Sequence, residues 1–131
     1  MHKIEETPYG YRLVFDGLLH REDACALLQA MRTTIRPRGG SYALMVDLRN
    51  SRAFPAEAQE ILKQAILHCK ETGMERNACI LDSAIATLQA KRLAREAGVD
   101  EASRYIDAAS DPDWERIAID WLVRAIEPDV N

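Results

Sequence analysis

Residues 42–62, YALMVDLRNSRAFPAEAQEIL, limit the fold more than any other stretch of this chain. YALMVDL is a nearly continuous apolar run, the pattern of a strand covered on both faces. The strand is expected to end at Asp47. A loop carrying Arg49, Asn50, Ser51 and Arg52 follows, and Pro55 is suited to the first position of a helix. Ala58, Ile61, Leu62, Ala65, Ile66 and Cys69 then recur at helical spacing up to Gly73. A buried strand feeding an amphipathic helix is half of a strand–helix–strand unit. Such units build parallel sheets, and the carboxyl ends of their strands form the edge where ligands are bound.

The rest of the chain repeats the alternation. Residues 2–7 and 11–18 read as two short strands around a turn holding Pro8 and Gly10, with Leu13 and Phe15 alternating against Arg12 and Val14. A helix is expected over about 21–35, where Ala24, Leu27, Leu28, Met31 and Ile35 form the apolar stripe, and Pro37, Gly39 and Gly40 stop it. NACILD, 77–82, is a second buried strand. Asp82 or Ser83 can cap the Ala-rich helix that runs to Gly98. RYID, 104–107, is a last short strand, and Asp111 or Asp113 starts the final helix. There Trp114, Ile117, Ala118, Trp121, Leu122 and Ala125 share one face, which makes both tryptophans core. The order β-β-α-β-α-β-α-β-α predicts one α/β domain over 1–131, with a mainly parallel sheet and an antiparallel edge hairpin.

A chain of 131 residues can bury a core of its own. No apolar run approaches the roughly 18 residues that span a bilayer, and MHKIEETPYG has no apolar leader segment. The expectation is a cytoplasmic protein with no stable membrane insertion. Residues 1–99 carry 14 Lys/Arg against 12 Asp/Glu, while residues 100–131 carry 3 against 9, so balances of +2 and −6 make the net −4. That acidic end argues against nucleic acid as the main partner. The best basic cluster, Arg32, Arg36 and Arg38, sits at a helix end where cations complement the macrodipole. Cys25, Cys69 and Cys79 fit no metal or redox spacing and read as small buried thiols. The last few residues are expected to be loose.

This element order, with the VDL strand ending in Asp47 and a C-terminal helix, resembles the STAS domain superfamily, named for sulfate transporters and anti-sigma factor antagonists. Over nearly the whole chain it is most similar to bacterial single-domain proteins described as stage II sporulation AA-like, whose fold is similar to lipid-binding Sec14 domains. The resemblance implies a signalling domain that works by contact with another protein. Anti-sigma factor antagonists carry an Asp-Ser-Ser-Gly-like turn whose serine is phosphorylated. Here Ala56, Glu57, Ala58 and Gln59 stand at that turn, so the phosphoswitch does not carry over. Ser51 is nearby but off the motif position.

The expected working edge therefore comprises Asp47, Arg49, Asn50, Ser51, Arg52, Glu57, Asp82 and Ser83, as a protein- or anion-binding surface without cofactor, metal or catalysis. Helix starts at Pro55, Ser83 and about Asp111 offer N–H groups to an anion, with Arg49 and Arg52 beside the first. The protein partner has no identity in the sequence, and a homodimer is compatible with it. The alternative is a small-molecule binder for a lipid-like or anionic ligand. A third reading makes Asp47, Asp82 and Asp107 three strand-end carboxylates on one rim, suited to Mg²⁺ and phosphoryl chemistry. No nucleophile elbow and no glycine-rich phosphate loop are present.

Overall fold

The computed structural model describes residues 1–37 and 39–128. Arg38, and the last residues expected to be loose, lie outside the described residues. The elements run β1 (His2–Thr7), β2 (Gly10–Gly17), α1 (Arg21–Thr34), β3 (Tyr42–Ser51), α2 (Ala56–Glu71), β4 (Met74–Leu81), α3 (Ala84–Ala97), β5 (Ser103–Asp107) and α4 (Trp114–Arg124), with a 3₁₀ turn at Asp100–Ala102 before β5. The five strands lie in sequential order, β1-β2-β3-β4-β5. β1 pairs antiparallel with β2, and every other pairing is parallel. The α/β class with its edge hairpin is as expected from the element order.

Sequential order has a consequence for the layers. Crossovers between parallel strands are right-handed. When each crossover steps the same way across the sheet, its helix lands on the same face. α1, α2 and α3 accordingly pack side by side on one face. They bury Leu27, Leu28, Met31, Ile61, Ala65 and Cys69 against Tyr11, Leu13, Phe15, Leu44 and Leu81 of the strands. Among the described helices α4 alone returns to the other face, over β3, β4 and β5. Its Ala118, Trp121 and Leu122 close on Ala43, Met45, Ala78, Ile80 and Ile106. On that same face β1 and β2 present Lys3, Glu5, Thr7 and Arg12 with Val14 among them, and only Tyr9 of the β1–β2 turn joins the α4-side core.

Caps and turns match the residue types. Ser83 caps α3 by accepting from the Ala86 N–H, and Gly98 ends the helix in the left-handed region. Pro55 is the N-cap of α2 rather than its first helical residue, and the helix begins at Ala56. Tyr42 at the start of β3 pairs with Thr72 Oγ1 (2.8 Å) and donates to the Cys69 carbonyl (3.2 Å), tying the strand to the end of α2. Cys69 and Cys79 are buried as expected, but Cys25 is exposed. Ala24 takes the inward position on α1, and the next residue points to solvent. No helix among the described residues is long and apolar enough to cross a membrane.

The β1–β2 turn packs against β3 with no room to spare. Gly10 has φ +151°, and a Cβ there would lie 2.1 Å from the Ala43 carbonyl oxygen. Gly10→Ala is expected to destabilise the fold by more than about 2 kcal/mol, from backbone strain plus the displaced strand. Urea unfolding followed by tryptophan fluorescence measures it. A loss under about 0.5 kcal/mol would contradict this packing.

Candidate functional site

β3 does not stop at Asp47. After a bulge in β3, where Leu48 and Arg49 stand opposite Phe15, Asp16 and Gly17 continue the parallel ladder opposite Asn50 and Ser51. The Arg52 N–H then donates to the Gly17 carbonyl (3.0 Å). The strand therefore holds Arg49, Asn50 and Ser51, which the sequence places in a loop, and the connection to α2 shrinks to residues 52–55.

Asp47 is thus a mid-strand residue on the α4 face, 3% exposed, and not a rim carboxylate. Two arginines clamp it. Arg49 donates from Nε to Oδ1 (2.9 Å) and from Nη2 to Oδ2 (2.8 Å), and its backbone N–H reaches Oδ1 (3.2 Å). Arg12 of β2 donates from Nη2 to Oδ2 (2.9 Å). The Arg49 guanidinium lies 4.2 Å from the ring centroid of Trp114, the first residue of α4. Burial by itself would raise the Asp47 pKa. The hydrogen bonds from Arg49 and Arg12 outweigh it and hold the carboxyl below its ordinary value. Both carboxylate oxygens are spoken for, and Arg49 faces away from the start of α2. The expected pairing of Arg49 with Arg52 as an anion receptor at that helix start does not assemble.

The residues that do share the outer edge are Asn50, Arg52, Glu57 and Asp82, all exposed. Ser51 is buried, with its hydroxyl donating to the Arg52 carbonyl (3.1 Å). The Ser83 hydroxyl is taken up by capping α3. Gln89 of α3 staples the 52–55 connection in place. Its Oε1 accepts from the Phe54 N–H (2.7 Å) and its Nε2 donates to the Phe54 carbonyl (3.1 Å). Gln59 Nε2 donates to the same carbonyl (2.9 Å), and Arg92 donates to Gln59. Directly beside this staple, Ile85 and Leu88 of α3 stand 63% and 68% exposed.

The three strand-associated carboxylates are not brought together. Asp107 turns onto its own loop, where Ser110 Oγ donates to it at 2.8 Å and the Ala109 N–H at 2.9 Å. Those bonds lower its pKa. Among the described residues no group of three His, Cys, Asp or Glu side chains is placed to hold a metal ion. The buried thiols of Cys69 and Cys79 are pushed up to about 12 by burial. They are protonated at neutral pH and weak nucleophiles.

A cavity of about 100 Å³ lies between the sheet and α1, α2 and α3. Leu13, Phe15, Leu44 and Val46 form its floor, and Ala65, Ala90 and Ala94 are part of its helical wall. Ligand pockets for drug-sized molecules run to roughly 300–1,000 Å³. This one is too small for an acyl lipid.

The fold is similar to the NMR structure of the protein TM1081, with a TM-score of 0.57 and 12% sequence identity, covering 88% of this chain and 89% of that one. At that identity the likeness shows the fold alone. No protein-family model matches the chain. No curated protein matches it either.

Arg12, Trp114, Gln89, Ile85 and Leu88 are the site residues that the sequence left unmarked. For the last two a signal was present. The buried positions of α3 are Ala86, Leu93, Ala94 and Ala97, and Ile85 and Leu88 fall off that stripe. For Arg12 none was, because its partner lies 35 residues away.

The clamp generates two predictions. Removing Asp47 frees two arginines whose side chains are 28% and 37% exposed and can turn to water. Removing both arginines strands a buried carboxylate. Asp47→Ala should therefore cost about 1–3 kcal/mol, and the Arg12→Ala, Arg49→Ala double variant about 3–5 kcal/mol. Denaturant unfolding of the two side by side decides it, and the reverse ranking would show that Asp47 is not carried by this pair. The second concerns pH. A carboxyl with a lowered folded pKa stabilises above its unfolded value, about 3.9, and that contribution is lost as pH falls through the folded value. The stability gap between wild type and Asp47→Asn should be full above about pH 5 and shrink progressively below pH 4.

Proposed function

We propose that this chain is a non-catalytic, STAS-like interaction domain that docks a protein partner through the outer edge formed by the 52–55 connection and the start of α3. The observation that carries the reading is the exposed pair Ile85 and Leu88. Single exposed apolar residues are ordinary on a protein surface. These two are one turn apart on a helix, next to a connection held rigid by Gln89 and among the polar groups Arg52, Glu57 and Asp82. An apolar centre with a polar rim on a preformed backbone is the anatomy of a protein interface. The absence of a serine at the family's switch position makes this a docking surface of fixed charge, with Glu57 in the first turn of α2.

The element order that resembles STAS domains supports the same reading, and so does the engagement of the Asp47 carboxylate by Arg49 and Arg12. The lipid-like alternative loses ground to the cavity's size, and the anion-binding one to the orientation of Arg49. A second copy of the chain is among the candidate partners.

The test is a comparative capture from native lysate with sedimentation of the pure protein alongside. Leu88→Asp with Arg52→Glu should lower recovery of a specific partner, or of the self-associated species, at least tenfold, as the loss of an interface centre does. Val123→Asp, on α4 across the sheet, should leave it unchanged. Equal recovery with both variants would refute docking at this edge.

A further inference from the structure

We propose that the cavity beneath α2 and α3 is a binding site for a compact, largely apolar molecule of about four to seven heavy atoms that carries one hydrogen-bonding group. This inference is independent of the docking surface, which lies on the outside of α3.

Two observations carry it. The first is the void itself, about 100 Å³ with an almost wholly apolar wall. Protein interiors are close-packed and hold few voids larger than water. This one persists because α2 and α3 present the small side chains of Ala65, Ala90 and Ala94 at positions where leucine would fill it. The second is Tyr105, on β5, which also lines the cavity. Its hydroxyl is buried and, among the described residues, meets no group at hydrogen-bond distance and angle, the Ser103 hydroxyl being its nearest polar neighbour on the strand. Ser103 is near enough to bias its ionisation, but the net effect of burial is to raise the phenol's pKa, so it is a neutral donor at any physiological pH. A buried hydroxyl without a partner is costly and uncommon in a native structure.

Water is a poor occupant. It needs two to four polar partners. The other polar side chain on the wall, Asn77, is already engaged, accepting from Ser103 Oγ (2.5 Å) and contacting Cys79 Sγ (3.7 Å). Engineered cavities of about 150 Å³ with such walls stay dry and take benzene or xenon. This cavity is somewhat smaller, but Met31 and Met74 are in its wall, and methionine's flexible thioether yields to an incoming group. An apolar body with one polar atom for Tyr105 satisfies every feature of the site.

The experiment is a titration of the full chain, ¹³C-labelled at alanine methyls, with benzene and with phenol. Saturable shifts at Ala65, Ala90 and Ala94 are expected with both probes. Tyr105→Phe should weaken phenol binding about three- to tenfold, the worth of one hydrogen bond, and leave benzene binding within twofold. Ala94→Leu should abolish both, and Ala90→Val serves if the larger side chain prevents folding. No saturable shift with either probe up to its solubility overturns the site. So does binding that survives filling the cavity. Phenol binding indifferent to Tyr105→Phe overturns the hydrogen-bonding half of the proposal.

Discussion

The handedness of the crossover connections is the constraint on which the rest of this structure depends. Five strands in sequential order, joined by right-handed units, must place α1, α2 and α3 on one face. Everything distinctive about the molecule follows from that asymmetry. One face receives three helices and a wide apolar core. Among the described helices the other receives only α4, which covers β3 to β5 and leaves the β1–β2 side to mainly polar residues. The clamp around Asp47 stands at the border between the two zones. It joins β2, β3 and the start of α4 through Arg12, Arg49 and Trp114. A carboxylate is tolerated at a buried position there because two cations reach it with side chains that stay partly exposed.

The same asymmetry explains what could and could not be read along the chain. YALMVDL announces a buried strand because its faces lie under two sets of helices, and the four helical stripes are legible for the same reason. Arg49, Asn50 and Ser51 look like a loop because composition is polar, yet they are strand. Asn50 and Ser51 pair with Asp16 and Gly17 of β2, with Arg49 in the bulge just before them, so the apolar signal disappears while the backbone pairing continues. Asp47 stands out in the sequence as a carboxylate closing an apolar run, which points to a strand end, but it is a buried mid-strand residue. Its true role needs Arg12, and no local pattern connects residues 12 and 47. Trp114 fits the core stripe of α4, but its position at the helix start turns one ring face toward Arg49. Trp121, by contrast, is core as read, donating from Nε1 to the Asn77 carbonyl at 3.1 Å.

α3 serves two surfaces at once. Its inward face is built from Ala86, Ala90, Ala94 and Ala97 around Leu93, with the small side chains bringing helix and sheet together and leaving the void at Ala90 and Ala94. Its outward face carries Ile85 and Leu88 without cover. Gln89, between these two faces, fixes the helix to the Phe54 backbone through both ends of its amide. A partner pressing on Leu88 and a molecule lodged beneath Ala94 would therefore act on the same helix, which Gln89 fixes to the 52–55 connection and Lys63 and Lys70 tie to α2. A coupling between them would need two arrangements of α3 that each occupant prefers differently. The staple is the physical element that would have to give. Its three hydrogen bonds with Phe54, two to Gln89 and one to Gln59, hold the 52–55 connection in one arrangement, so the edge beside Ile85 and Leu88 is a preformed surface, whereas the polar residues Arg49 and Ser51 are turned inward or engaged.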